Sequence, residues 1–245
     1  MRDIILFPYR IYAALLLIFI ILLFFPLILL SMLLGIDIGG KIIFALVRFM
    51  SRIWFLLIGI IHRTQNRSNH EKHCIYVANH RSYIDGICTF LTVNGQFRVL
   101  GKAEVNSIPV FGFLYRYAVI LVNRSSKKNR TKSIEVLKKV LNHYNISIFI
   151  FPEGTFTKDN EVLSKFYDGA FRIAIETQTD IQPLVIIGAD KCLPGNTYFK
   201  ISPGIITTYY LDKISIKHYE SENDIEKLKD IVFQKIKEGI IKYSS

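Results

Sequence analysis

The chain is poor in the residues that build disulfide frameworks, thiolate metal sites and acidic surfaces. It has three cysteines in 245 residues, Cys74, Cys88 and Cys192. Their number is odd and their spacing fits no metal pattern, so they read as reduced, small apolar residues of a cytosolic domain. Acids are few as well: 20 Asp and Glu stand against 31 Lys and Arg, a formal net charge of +11. Nucleic acid is one candidate partner for that excess, but no basic stripe with interleaved aromatics and no nucleic-acid module is present. Attraction to an anionic membrane and to phosphate-bearing ligands accounts for the same charge. A Ser or Cys nucleophile motif, a metal-ligand set, an internal repeat and a low-complexity tract are all missing. The common hydrolase forms therefore find no support.

What the chain has in abundance is apolar sequence, 51% of its residues, and that excess is unevenly spread. Residues 4–61 are almost entirely apolar, while "HRTQNRSNHEKH", residues 62–73, is almost entirely polar. The stretch "IYAALLLIFIILLFFPLILLSMLLGI", residues 11–36, carries no charge. At ~1.5 Å per residue it is long enough to cross a hydrocarbon core of ~30 Å. Pro26 is expected to kink it. The run exceeds the apolar core of a signal peptide, and no small-residue cleavage site follows it. The second block, residues 41–63, holds Arg48 and Arg52 four residues apart, hence on one helix face. Each arginine at mid-bilayer costs roughly 2.5–3.5 kcal/mol, so this helix is expected in the interface with both arginines at the headgroups. The expected organisation is a membrane-anchoring helical hairpin over 1–61, separable from the fold, and a polar linker over 62–73. An α/β domain over 74–212 and a basic amphipathic helix over 213–245 follow. Arg2 and Arg10 before the hairpin, with Arg63, Arg67 and Lys72 after it, place both flanks on the cytoplasmic side.

From residue 74 strands and helices alternate, which implies an α/β fold with a mostly parallel sheet flanked by helices. Strands are expected at "CIYVAN", at "FRVLG" (97–101), at "VILVNR" (119–124), at "ISIFIF" (146–151) and at "IQPLVII". Helices are expected at 82–93, within "IPVFGFLYRYA", at 128–142 and at 167–177. Residues 198–211 read as a late hairpin. Residues 222–242 read as a helix with Ile225, Leu228, Ile231 or Val232, Ile236 and Ile240 inward.

The stretch "VANHRSYIDG", residues 77–86, puts one of six histidines where a strand ends and a helix begins. His80 and Asp85 are five residues apart, about 500° of helical rotation, so on one regular helix they would diverge by ~140°. They can meet only if His80 lies on the turn before the helix. Asp85 would then fix the imidazole tautomer, leaving the other ring nitrogen to accept a proton. A competing reading is structural: Ser82-x-x-Asp85 fits a capping box, with Asp85 satisfying backbone donors. Both readings stand on these residues. A second constellation, "ISIFIFPEGTFTKDN", ends a buried strand in Phe151-Pro152-Glu153-Gly154-Thr155. Ligands of open α/β sheets bind beyond the carboxyl ends of strands, where His80 and Glu153 are both expected. Taken alone, this stretch also fits an ordinary strand-to-loop turn.

The ordered set resembles the glycerolipid acyltransferase family, of the lysophosphatidic acid acyltransferase type. "NHRSYID" matches its Asn-His-x-Ser-x-x-Asp motif, and "GKAEVNSIPVFGFLYRYAVILVNR" its second block, with Lys102 early and Arg124 closing a strand. "FPEGT", "FYDGAFRIAIET" and "IQPLVI" match the later blocks, so that the resemblance covers residues 74 to about 190. The N-terminal hairpin resembles the family's two-helix anchor. Two positions depart: Phe156 follows Glu-Gly-Thr where the family usually has arginine, and Tyr167 stands where it usually has lysine.

The resemblance implies acyl transfer from acyl-CoA or acyl-acyl carrier protein to the sn-2 hydroxyl of 1-acylglycerol 3-phosphate. It implies His80 as general base and Asp85 as its orienting partner. Glu153, Gly154, Thr155, Arg124 and Lys102 are implied in substrate binding, with Lys158 or Lys165 as further sources of positive charge. Asn79 and Ser82 would support the turn. No cofactor or metal is implied, and the location implied is the cytoplasmic side of a bacterial inner membrane. The same chemistry on another lyso-lipid acceptor remains open, as does a membrane-anchored lipid-binding protein without activity.

Overall fold

A computed structural model of the chain describes residues 2–67, 73–102, 119–122, 127–144, 146–157, 161–197, 199–221 and 223–244. They fall into two compact units. The first comprises Met1–Gln65, Arg81–Gln96 and Ile186–Tyr209. The second comprises Asn66–His80, Phe97–Val185 and Tyr210–Ser245.

The first unit opens with α1 (Arg2–Met32), a π-helical turn over Gly35–Gly39, and α2 (Gly40–Leu57). α1 is long and apolar enough over Leu6–Met32 to cross a membrane, by length and composition. Leu15, Phe19, Leu22, Leu23 and Leu30 are exposed along it. α2 runs antiparallel to α1. The Tyr9 hydroxyl donates to the Ile58 carbonyl at 2.6 Å, the Trp54 indole N–H donates to the Ala13 carbonyl at 2.9 Å, and Phe24 meets Phe49 with ring centroids 5.7 Å apart.

Arg48, expected at the headgroups, has protein partners. Its guanidinium donates to the carbonyls of Phe90 at 3.0 Å, of Val93 at 2.8 Å, and of Gly95. These lie at and just beyond the end of α3 (Asp85–Thr92). A cation at a helix C-terminus satisfies orphan carbonyls and complements the dipole. Phe44 supports the same contact, packing on Phe90 with centroids 5.4 Å apart. Arg52 is the exposed member of the pair. α2 is thus built into the packing of α3.

The expected polar linker is corrected at its start. Residues 60–65 form β1 (Ile60–Gln65), which pairs in parallel with β7 (Gly204–Tyr210), Ile60 opposite Gly204 through Gln65 opposite Tyr209. Only Ile60 of β1 is buried, so its polar residues sit on a half-wet strand where composition reads as loop. The expected hairpin over 198–211 is likewise corrected to this single strand. The short helix α6 (Ala189–Cys192) completes the unit.

The second unit is a parallel sheet. β2 (Ile75–Ala78) pairs with β5 (Ser147–Ile150) on one side and β6 (Ile181–Ile187) on the other. β5 pairs with β3 (Phe97–Lys102), and β3 with β4 (Val119–Val122). The order is therefore β6-β2-β5-β3-β4, all parallel, as the alternation of strands and helices implied. Every residue of β2 is buried, as are Ile148, Phe149 and Ile150 of β5. Continuous apolar runs of this kind are what strands covered on both faces require.

α4 (Lys127–Asn142), α5 (Gly169–Thr177) and α7 (Asp224–Ser244) accompany the sheet. α5 ends where Gln178 takes a left-handed conformation, φ 49°. α7 buries Ile225, Leu228, Val232, Ile236 and Ile240, the 3–4 spacing of one helix face; Val232 is the inward residue and Ile231 is exposed. Its Lys229 ammonium is buried against two carboxylates, Asp168 at 2.9 Å and Glu226 at 2.5 Å.

Candidate active site

Parallel pairing puts the carboxyl ends of β2, β5 and β3 at one edge of the sheet. β2 and β5 are neighbours, so the turns that leave them are neighbours too. His80 leaves β2 after the buried Asn79, and Glu153 leaves β5 after Phe151 and Pro152. The two meet: the His80 backbone N–H donates to Glu153 Oε1 at 2.7 Å.

Glu153 is 1% exposed, and its other carboxylate oxygen, Oε2, is engaged as well. It accepts the Thr157 hydroxyl and, at 3.0 Å, the Ser164 backbone N–H. One carboxylate therefore joins three separated stretches of chain. Burial pushes its pKa up, and the donors of Thr157, His80 and Ser164 oppose that rise. Gly154 makes the turn possible at φ 66°, in the left-handed region, with its N–H donating to the Phe151 carbonyl at 3.1 Å.

The His80 carbonyl accepts the Thr157 N–H at 2.8 Å, so the backbone of His80 is gripped on both its polar atoms. Its imidazole is gripped by aromatics. Phe151 stacks on it with centroids 4.1 Å apart and planes 17° apart, and Phe156 lies 4.4 Å away, tilted by 54°. Phe156, which replaces the family's usual arginine, is therefore in contact with the histidine.

In the first unit, Asp85 opens α3 and is 1% exposed. Its Oδ2 accepts the backbone N–H groups of Arg81 at 2.8 Å and Ser82 at 2.7 Å. This is the backbone-satisfying role that the capping-box reading describes. Ser82, fully buried, accepts the Ile84 N–H at 3.2 Å on its hydroxyl oxygen and donates that hydroxyl to the Leu193 carbonyl. Arg81 pairs with Asp190 at 3.2 Å, and its carbonyl accepts the Gly195 N–H at 3.0 Å. The turn after His80 is thus held at Arg81, Ser82 and Ile84.

Of the other residues expected at the site, Thr155 is exposed on its turn and Lys165 is exposed. Lys102 ends β3 at the same sheet edge, and its side chain lies outside the described residues, as do Arg124 and Lys158 entirely. Tyr167 is 66% exposed and its N–H donates to the Pro152 carbonyl at 2.9 Å. Two partners of the Glu153 carboxylate escaped the sequence: Thr157 and Ser164. Nothing local separates Thr157 from Thr155, and only the fold shows which hydroxyl reaches Glu153. A cavity of about 540 Å³ lined by Gln182, Tyr210 and Lys242 among others contains none of these groups. Among the described residues, no group of three His, Cys, Asp or Glu side chains could hold a metal.

A family model for acyltransferases matches residues 59–187, more than half of the chain. The chain belongs to the acyltransferase family. The chloroplast 1-acyl-sn-glycerol-3-phosphate acyltransferase of Brassica napus is 31% identical over 135 residues, 53% of this chain and 37% of that protein. The 1-acyl-sn-glycerol-3-phosphate acyltransferase of Haemophilus influenzae is 26% identical over 178 residues, 72% of each chain. The chain thus spans well under half the length of its Brassica relative. The crystal structure of the 1-acyl-sn-glycerophosphate (LPA) acyltransferase of Thermotoga maritima covers all of both chains with a TM-score of 0.82 at 21% identity, which shows a shared fold.

Proposed function

We propose that this acyltransferase moves a fatty acyl group from an acyl thioester, acyl-CoA or acyl-acyl carrier protein, to the sn-2 hydroxyl of 1-acylglycerol 3-phosphate. The observation that carries the reading is His80 itself. It is a partly exposed histidine at the carboxyl edge of a parallel sheet, clamped through backbone and ring, inside the matched family segment. His80 takes the proton of the acceptor hydroxyl as the oxygen attacks the thioester carbon. The tetrahedral intermediate collapses, the carbon–sulfur bond breaks, and the imidazolium returns the proton to the leaving thiolate. General-base help of this kind is worth roughly 10²–10⁴ in rate. Asp85 orients the imidazole and offsets its charge. Accepting two backbone donors on Oδ2 does not exhaust a carboxylate, which has about four acceptor sites.

Glu153 acts by holding the His80 turn and the loop through Ser164 in register, with Gly154 permitting the turn. Lys102, at the end of β3, and Arg124 are the proposed phosphate contacts, and Arg124 suits that role because its planar fork binds two oxygens. The step uses no metal or cofactor. α1, with α2 packed along it, anchors the catalytic part at the cytoplasmic face of a bacterial inner membrane, where both amphipathic substrates are concentrated.

One observation favours a second reading, the same transfer onto another lysophospholipid. Phe156 and Tyr167 stand where the family has cations, so phosphate recognition is weaker by two positions. Purified protein assayed against a panel of lyso-lipid acceptors, with both donor types, tests the two readings together. Preferred use of 1-acylglycerol 3-phosphate supports the first, and preferred use of a phosphodiester lyso-lipid replaces it with the second. Absence of transfer to every acceptor rejects both.

A further inference from the structure

Position 156 has two incompatible uses. An arginine there can reach for an anionic headgroup, as the family pattern suggests. A phenylalanine cannot, and in this chain its ring lies 4.4 Å from the His80 imidazole. Phe151 stacks on the same imidazole at 4.1 Å. Both phenylalanines sit on one short, tightly tied loop. The Gly154 N–H donates to the Phe151 carbonyl at 3.1 Å, and the Thr157 N–H donates to the His80 carbonyl at 2.8 Å. The Thr157 hydroxyl and the His80 N–H are both held by the Glu153 carboxylate. The loop that positions the ring contacts is therefore the loop that positions the histidine backbone.

We infer that Phe156 is a positioning residue which, with Phe151, forms an aromatic clamp that orients the imidazole of His80 for proton transfer. The inference rests on the proposed role of His80 as base. A base must stand within about 2.6–3.2 Å of the proton it takes, so ring orientation enters the rate directly. Aromatic rings favour particular offset and edge geometries, which an aliphatic side chain of similar bulk does not reproduce. An arginine at 156 would put a second cation beside a ring that must become cationic during the reaction. The clamp and a phosphate-reading guanidinium are thus alternative occupants of one position, and this chain has the clamp.

The test uses the full-length protein in detergent micelles and the variants Phe156→Tyr, Phe156→Leu, Phe156→Ala and Phe156→Arg. Two readouts are taken. One is the rate at which diethyl pyrocarbonate modifies His80, followed at that residue by mass spectrometry with the other histidines as internal controls. The other is kcat and KM with 1-acylglycerol 3-phosphate and acyl-CoA. Phe156→Tyr, which keeps the ring, should retain most of kcat and the slow modification. Phe156→Leu and Phe156→Ala should raise modification of His80 several-fold, leave the other histidines unchanged, and lower kcat roughly 10–100-fold with both KM values little altered. Phe156→Arg should lower kcat at least as far. A Phe156→Leu protein with wild-type modification rate and wild-type kcat overturns the clamp, and shows that bulk alone is needed. Should Phe156→Ala fail to fold, Leu against Tyr still decides. A wild-type protein that transfers no acyl group rejects the functional reading. The modification rates then settle the clamp alone: faster in Leu supports it, unchanged overturns it.

Discussion

The backbone N–H of His80 donates to the carboxylate of Glu153 at 2.7 Å, tying the turn after β2 to the turn after β5. Glu153→Gln keeps the shape but replaces an oxygen that accepts the Thr157 hydroxyl or a backbone N–H with an NH₂ group that can only donate. At least one buried donor is left facing another donor, a cost of about 1–3 kcal/mol. We expect a melting temperature lower by several degrees and a loosened segment around Ser164, read by hydrogen exchange at that amide.

The same carboxyl gives a pH signature. Burial holds the Glu153 pKa above its ordinary 4.5, against the opposing hydrogen bonds. In the window between the ordinary and the raised value, the folded protein holds a proton that the unfolded chain has lost. This contribution of Glu153 to stability therefore declines as pH rises through that window and is constant above it. Subtracting the stability–pH curve of Glu153→Gln from that of wild type should isolate this decline. A difference that instead grows with pH across the window contradicts it.

Much of this arrangement is legible in the sequence, and the reasons differ by residue. β2 and β5 announce themselves because both faces are buried, so their apolar runs are continuous. His80 and Glu153 follow from the rule that parallel strands put their ligands at carboxyl ends. β1 was hidden because "HRTQ" sits on a half-wet strand. Its partner, β7, lies far down the chain, where no local pattern can reveal it. Thr157 was hidden because its choice over Thr155 is made by the turn at Gly154. The partners of Arg48 are not legible, because a bilayer cost treats the helix in isolation, whereas α2 has the end of α3 to dock on.

Asp85 separates the two roles that its residue type allows. Asp85→Asn keeps a side-chain oxygen that can accept the N–H groups of Arg81 and Ser82, now held at 2.8 and 2.7 Å. It removes the charge that would stabilise an imidazolium. If Asp85 only shapes the turn, Asn should give near-normal kcat. We expect a loss of roughly 10²-fold or more in kcat with little change in melting temperature, because charge on the partner of a general base is needed in the transition state. The double variant with His80→Ala should be little worse than His80→Ala alone.

Arg48 should matter to stability although it lies in the apolar N-terminal region. Arg48→Ala leaves the carbonyls of Phe90, Val93 and Gly95 without their charged donor. A hydrogen bond to a charged group is worth ~1.5–3 kcal/mol, and the loss falls on the helix that begins with Asp85. At ~2–4 °C per kcal/mol for a domain of this size, the melting temperature should fall by roughly 3–12 °C. Arg52→Ala, at the exposed member of the pair, should change it little. Equal effects of the two substitutions would remove the special role of the α3 contact.

The boundary between anchor and enzyme is the last expectation, and it differs from what composition suggests. Composition divides the chain at about residue 61, where apolar sequence gives way to polar. The contacts of α2 argue for an earlier boundary. α2 carries Arg48 and Phe44 onto α3, and it leads directly into β1, which pairs with β7. Removing residues 2–32 deletes α1 alone. It strips contacts from Trp54 and Ile58 but leaves β1, α3 and the site intact. Removing residues 2–59 deletes the docking partner of α3 as well. We expect the shorter deletion to keep a cooperative thermal transition in detergent and to lose most flotation with liposomes. The longer deletion should lose the transition itself. A protein lacking residues 2–59 that still melts cooperatively at the wild-type temperature would return α2 to the anchor and leave Arg48 without a structural task.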